Sequence, residues 1–139
     1  VMRGGFGNDR LLFDFEDLEA PGLRLDGGRG SDTLEFSFGA DQVLDLTTID
    51  DDRAAGIEII DLAENGVDND RVVLNRTDLL ALSDTDVLRI DGNAGDAATL
   101  VGAGWNAGSD VSIGDALYRS FVNDGATLLV DADMSTTFA

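Results

Sequence analysis

Two stretches of this chain follow one nine-residue pattern, GGxGxDx followed by an aliphatic residue and any residue: GGFGNDRLL at positions 4–12 and GGRGSDTLE at 27–35, matching at every fixed position. Glycine reaches positive φ without a Cβ penalty, so such a stretch can fold into a turn whose carbonyls point inward, and the aspartate adds a carboxylate to the same cavity. The candidate ligands are the carboxylates of Asp9 and Asp32, with the backbone carbonyls of Gly4, Phe6 and Asn8 and of Gly27, Arg29 and Ser31, and with Asp26 alongside. An oxygen-only set suits calcium and does not suit zinc. Leu11 and Leu34, two residues beyond each aspartate, are placed to start a strand and fill a core.

Weaker sites follow the same logic. Asp91-Gly92-Asn93-Ala94-Gly95-Asp96 is a degenerate copy that also leads into an apolar run, which adds Asp91, Asn93 and Asp96 to the candidate ligands. Asp50-Asp51-Asp52 and Asp68-Asn69-Asp70 could ligate ions too, although a run of charge is ordinarily a solvated loop.

Composition points the same way and removes other functions. Of 28 acidic residues 23 are Asp, against 9 basic residues, all Arg, for a formal charge of −19. Self-repulsion of that size has to be offset, and Asp is short, favours turns and ligates hard cations. The alternative reading is a salt-adapted acidic surface. A surface of this sign repels phosphate backbones and anionic lipid, so no nucleic-acid partner and no membrane insertion are expected. No Cys, His or Lys occurs, which excludes disulfides, thiolate zinc sites, Ser-His-Asp and Cys-His arrangements and a P-loop lysine. Paired carboxylates of a glycosidase, or a calcium–arginine lyase site, are the enzyme chemistries left, but the acids concentrate in glycine turns; the chain reads as a non-enzyme.

The elements that must position these turns are short and β-rich. Candidate strands lie at 10–15, 33–36, 43–46, 57–62, 71–74, 87–90, 99–101, 111–113, 116–122 and 127–131, punctuated by Gly, Asp and Asn. In Leu88-Arg89-Ile90 apolar and polar side chains alternate, so one face is wet. One short helix is predicted near 77–83, capped by Asn75 or Thr77. Little hairpin chemistry appears between 33 and 101, which predicts an all-β stack of the β-roll or β-solenoid kind, with a β-sandwich as alternative. After Trp105, the turn dipeptides Gly114-Asp115 and Asp124-Gly125 predict an antiparallel meander that caps the stack. The expected organisation is a single domain, 1–139, with calcium turns in 1–36, a body in 37–104 and a cap in 105–139. No apolar run approaches a membrane span, and Val1-Met2-Arg3 does not begin a signal peptide, so secretion would use signals elsewhere in a parent chain.

The nonapeptide resembles the calcium-binding repeat of RTX proteins. Beyond it, GIEIIDLAENGVDNDRVVLN, LLALSDTDVLRIDGNAGDAATL, GAGWNAG and NDGATLLVD resemble a module of very large bacterial RTX adhesins, a resemblance that covers most of the chain. It implies a type I-secreted cell-surface protein in which extracellular Ca2+ rigidifies the module beside neighbouring ligand-binding domains of the same chain. A monomeric scaffold is the expectation. The alternatives are a sugar- or peptide-binding module using Trp105, Tyr118 or an exposed calcium site, and the calcium-binding secretion domain of an RTX toxin or protease.

Overall fold

A computed structural model describes residues 2–13, 22, 24–36, 41–63 and 69–139. The chain is mostly β, as its alternating Val, Ile and Leu runs require, with one short helix. It runs in successive passages. The first supplies β1 (Met2–Phe6) and β2 (Arg10–Phe13), and the second β3 (Leu25–Arg29), β4 (Thr33–Phe36) and β5 (Val43–Asp45). The third supplies β6 (Ala54–Ala55), β7 (Ile59–Asp61) and β8 (Arg71–Leu74); the fourth supplies the helix Arg76–Leu82, β9 (Val87–Asp91) and β10 (Ala97–Leu100). Then come β11 (Asn106–Ala107), β12 (Val111–Ile113) and β13 (Ala116–Asn123), followed by β14 (Ala126–Asp131) and β15 (Ser135–Phe138).

Equivalent strands of successive passages pair in parallel and in register. One sheet orders β1-β3-β6, a second β15-β10-β8-β5, and the longest β11-β13-β14-β9-β7-β4-β2. Parallel pairing aligns like with like, so Leu11, Leu34, Ile60, Ile90 and Val130 form one inward row across five strands. Leu44, Val72 and Ala98, all fully buried, form another. Burying each such Leu or Ile contributes roughly 1.5–3 kcal/mol. On the outward face the same register lines up Glu35, Asp61 and Asp91. Like charges across strands repel, and two guanidiniums offset this. Arg10 reaches both Glu35 and Asp61, while Arg89 holds Asp91 at 2.8 Å and lies 5.4 Å from the Tyr118 ring centroid.

Several boundaries differ from the sequence reading. Strand 10–15 is seen as Arg10–Phe13, its last two residues lying outside the described ones, and Leu46 leaves β5 to open a 3-10 turn, Leu46–Thr48. Strand 99–101 begins earlier, at Ala97, because its alanines lack strand propensity and are recruited by pairing with β8. Gly4 to Phe6 and Gly27 to Arg29, read as turns, are strand in β1 and β3: without Cβ atoms the two backbones approach closely enough to form a ladder.

The helix carries a capping box, Asn75 Oδ1 accepting from Asp78 N at 2.8 Å and Asp78 Oδ2 from Asn75 N at 2.8 Å. The meander after Trp105 exists in β11, β12 and β13, with Asp124 and Gly125 both at positive φ in the turn that follows. β14, however, pairs antiparallel only with β13; its other edge joins β9 in parallel, and β15 joins β10 in parallel. Among the described residues no helix is long and apolar enough to cross a membrane.

Candidate metal centre

The ladder between β1 and β3 stands the two nonapeptides directly on one another, with Gly5 opposite Gly28 and Phe6 opposite Arg29. Glycine is required there by close approach. A Cβ on Gly28 would stand 2.1 Å from the Gly5 carbonyl oxygen, one on Gly30 1.9 Å from that of Gly7, and one on Gly27 2.0 Å from that of Gly56. Each aspartate folds back over the first glycine of its own turn, Asp9 Oδ2 over Gly4 and Asp32 Oδ2 over Gly27.

The acid that ends each turn immediately precedes a strand, and its carboxylate reaches to the backbone one passage earlier. Asp32 Oδ1 accepts from Asp9 N at 2.8 Å, and Glu58 Oε2 accepts from Asp32 N at 3.0 Å. A second column repeats this along the β5-β8-β10 sheet, where Asp70 Oδ1 accepts from Gln42 N at 2.7 Å and Asp96 Oδ1 from Asp70 N at 2.9 Å. Asp32, Asp70 and Asp96 are each fully buried, and the rungs satisfy backbone donors that the interior would otherwise leave unpaired.

The remaining oxygens separate the two nonapeptide aspartates from Glu58 and Asp96. Glu58 Oε1 accepts from Asp84 N at 3.2 Å, and Asp96 Oδ2 accepts from Asn93 N at 2.8 Å. Asp9 Oδ2 and Asp32 Oδ2 are buried with no hydrogen-bond partner. A carboxylate oxygen held out of water without a donor is costly, and a hard cation is the chemistry that completes it. Two carboxylates and the carbonyls of stacked glycine turns are oxygen donors of the type calcium takes. Among the described residues no three acidic side chains converge at metal-holding spacing, so such an ion would draw the rest of its shell from backbone carbonyls.

The other candidate ligands are placed as follows. Asn8 Oδ1 accepts from Ser31 N at 2.9 Å, which ties the two turns together. The Phe6 side chain is exposed, with the Arg29 guanidinium 5.8 Å from its ring centroid, so these two residues have only their carbonyls to offer a cation. Asp26 faces Arg3 at 3.9 Å across the ladder. Asp91 is not brought to the Asp96 turn: its oxygens take the Arg89 guanidinium at 2.9 and 2.8 Å and the Tyr118 hydroxyl at 2.6 Å. Asn93 donates its side-chain amide to the Ala63 carbonyl at 3.1 Å. A Cβ on Gly92 would strike the Met134 sulfur at 2.5 Å, so a buried thioether fills that turn. Burial pushes the Asp96 carboxyl above its ordinary range, against the pull of the Asn93 and Asp70 amides.

Sequence reasoning missed Glu58 and, as a rung, Asp70; the available signal was an acid directly ahead of each strand, as in Glu58-Ile59 and Asp70-Arg71. Trp105 packs against the core and donates to the Val101 carbonyl at 3.2 Å, and the buried Tyr118 is spent on Asp91, so neither is a free stacking platform. No protein-family model, no curated protein and no solved structure matches the chain.

Proposed function

We propose that this chain is a calcium-stabilised structural module, a short β-solenoid whose first two glycine turns take Ca2+, serving as a stiff scaffold in a secreted bacterial surface protein of the RTX-adhesin kind. The observation that carries the reading is the pair of buried, donorless oxygens on Asp9 and Asp32 in two stacked glycine turns. Parallel in-register ladders between successive passages favour coils over a sandwich, which is built of antiparallel sheets. The scaffold reading is supported by how these acids are used: Glu58 and Asp96 accept backbone amides, and Glu35, Asp61 and Asp91 are held by arginine or tyrosine.

The mechanism is linkage. An ion that binds only the folded state adds RT ln(1 + [Ca]/Kd), about 1.4 kcal/mol per site at tenfold excess. Extracellular calcium modules bind at roughly 0.1–1 mM, so the first two passages would tighten on export from a low-calcium cytoplasm. The test is a calcium titration of chelator-treated protein followed by circular dichroism and calorimetry, with magnesium as control. A calcium-specific rise in melting temperature, abolished by Asp32→Ala, is expected; an unchanged melting curve would overturn the reading.

A further inference from the structure

Asp32 is held at every polar atom but one. Its N–H donates to Glu58 Oε2 at 3.0 Å, its carbonyl accepts from Glu58 N and from Ile59 N, each at 3.0 Å, and its Oδ1 accepts from Asp9 N at 2.8 Å. Oδ2 alone is buried without a donor. Glu58 therefore grips the Asp32 backbone at both ends, taking its amide and giving to its carbonyl.

Glu58 belongs to no nonapeptide. Between the paired positions Asp26–Ala55 and Thr33–Ile59 the second passage runs through six residues, 27–32, and the third through only three, Gly56-Ile57-Glu58. The shorter turn carries an acid one methylene longer, and that acid is buried. Its other oxygen, Oε1, accepts from Asp84 N at 3.2 Å, in the turn Asp84-Thr85-Asp86 just past the helix. An amide on each oxygen fixes the carboxylate, so Asp32 and Asp84 are joined through one side chain.

We propose that Glu58 is the positioning residue of the Asp32 cation site: it holds Asp32 Oδ2 toward its own glycine turn and ties the affinity of that turn to the Asp84 turn behind it. The inference rests on the calcium reading given above. Glu58 spends both oxygens on amides, so its part is to orient a ligand and not to be one. Partners that stand behind a metal ligand fix its direction, and their loss typically lowers affinity about 10–100-fold. The donorless oxygen of Asp32 gains most from such a mount, because an oxygen already aimed at the cation needs no ordering when the ion arrives. A bridge that served the fold alone would cost stability and leave affinity untouched.

The test is a calcium titration of the 15N-labelled protein out of chelator, read from the amide shifts of residues 27–32 at a temperature where every variant is folded. Glu58→Gln keeps the side-chain length and one acceptor but sets an NH2 group against an amide donor, and its half-point should rise about tenfold. Asp84→Pro removes the N–H that Oε1 takes, at a place where Ser83 is already extended and proline commonly follows a helix. Its half-point should rise about threefold over that of Asp84→Ala, which loses the same charge and keeps the N–H. Asp96→Ala, which strands two amides in the other column, controls for lost stability and should match the parent. An unchanged half-point in Glu58→Gln, or an equal rise in Asp96→Ala, overturns the inference and leaves the calcium reading standing. If Glu58→Gln does not fold, equal half-points for Asp84→Pro and Asp84→Ala overturn it. A parent whose amides do not respond to calcium overturns both.

Discussion

The turn ending in Asp32 and the turns ending in Asp70 and Asp96 use the same rung, a buried carboxylate oxygen that accepts a backbone amide from the preceding passage. They part at the second oxygen. In the Asp96 turn Asn93 N reaches it, and Met134 fills the space beside Gly92. In the nonapeptide turns the chain opens around positive-φ glycines, no amide reaches Asp9 Oδ2 or Asp32 Oδ2, and the turn is unfinished. Two solutions to one problem thus sit in one stack. One is closed by the chain's own amides, and the other leaves two carboxylate oxygens without a donor.

The widest separation between the two regions should come from removing one acid from each. Asp96→Ala strands two amides, the buried Asp70 N and the half-buried Asn93 N, and each costs on the order of 1–3 kcal/mol. A loss of about 3 kcal/mol is expected, equal with calcium and with chelator. Asp32→Ala strands only Asp9 N, a loss of about 1–2 kcal/mol in chelator, and in calcium it should also forfeit the ion's increment. Denaturant melts of both variants in both conditions decide the matter. Equal calcium dependence in the two would erase the distinction drawn here.

Next in size is the difference between glycines. Gly30→Ala meets the Gly7 carbonyl at 1.9 Å, while Gly7→Ala faces open space and suffers only its positive φ. Left-handed backbone costs about 1–2 kcal/mol in an alanine, and the collision adds roughly as much again or more. Gly30→Ala should melt well below Gly7→Ala, and similar melting temperatures would mean that the passages do not stack as tightly as these distances require.

Much of this was legible in the sequence, for reasons that differ by residue. Asp9 and Asp32 stand out because glycines at fixed spacing announce a special turn, and the helix because Asn75 and the leucines after it are local signals. The inward rows are legible as alternation in Leu88-Arg89-Ile90. Glu58 and Asp70 were not legible as rungs, since their partners lie 26 and 28 residues earlier and only the parallel register brings them together. β1 and β3 were hidden for the opposite reason: glycine reads as a strand breaker, yet in stacked turns its missing Cβ is what lets the ladder form. Asp91 was misleading because it shares the Gly-Asp turn's spelling but ends a strand whose outward position hands it to Arg89 and Tyr118.

A third arrangement, neither rung nor turn, supplies the smallest and most specific effect. Asp78 closes the helix capping box beside Asp51 and Asp45, and burial together with those two acids raises its carboxyl to about 6 from an ordinary 3.8. The folded chain therefore holds this proton more tightly than the unfolded one. The contribution is fully present below pH 4 and is lost as pH rises from about 4 to 6. Asp78 is itself buried, and the contribution should amount to about 1 kcal/mol or somewhat more. Asp78→Asn keeps an oxygen for the Asn75 amide and cannot ionise, so in chelator its melting temperature should gain on the parent's between pH 4 and 6 and run parallel above. Chelator matters, because under the proposed calcium reading the nonapeptide acids would bind the ion as anions and add a slope of opposite sign across the same range. A parent and variant that stay parallel from pH 4 to 7 would show that Asp78 ionises freely and that the helix end, unlike the two acid columns, is open to water.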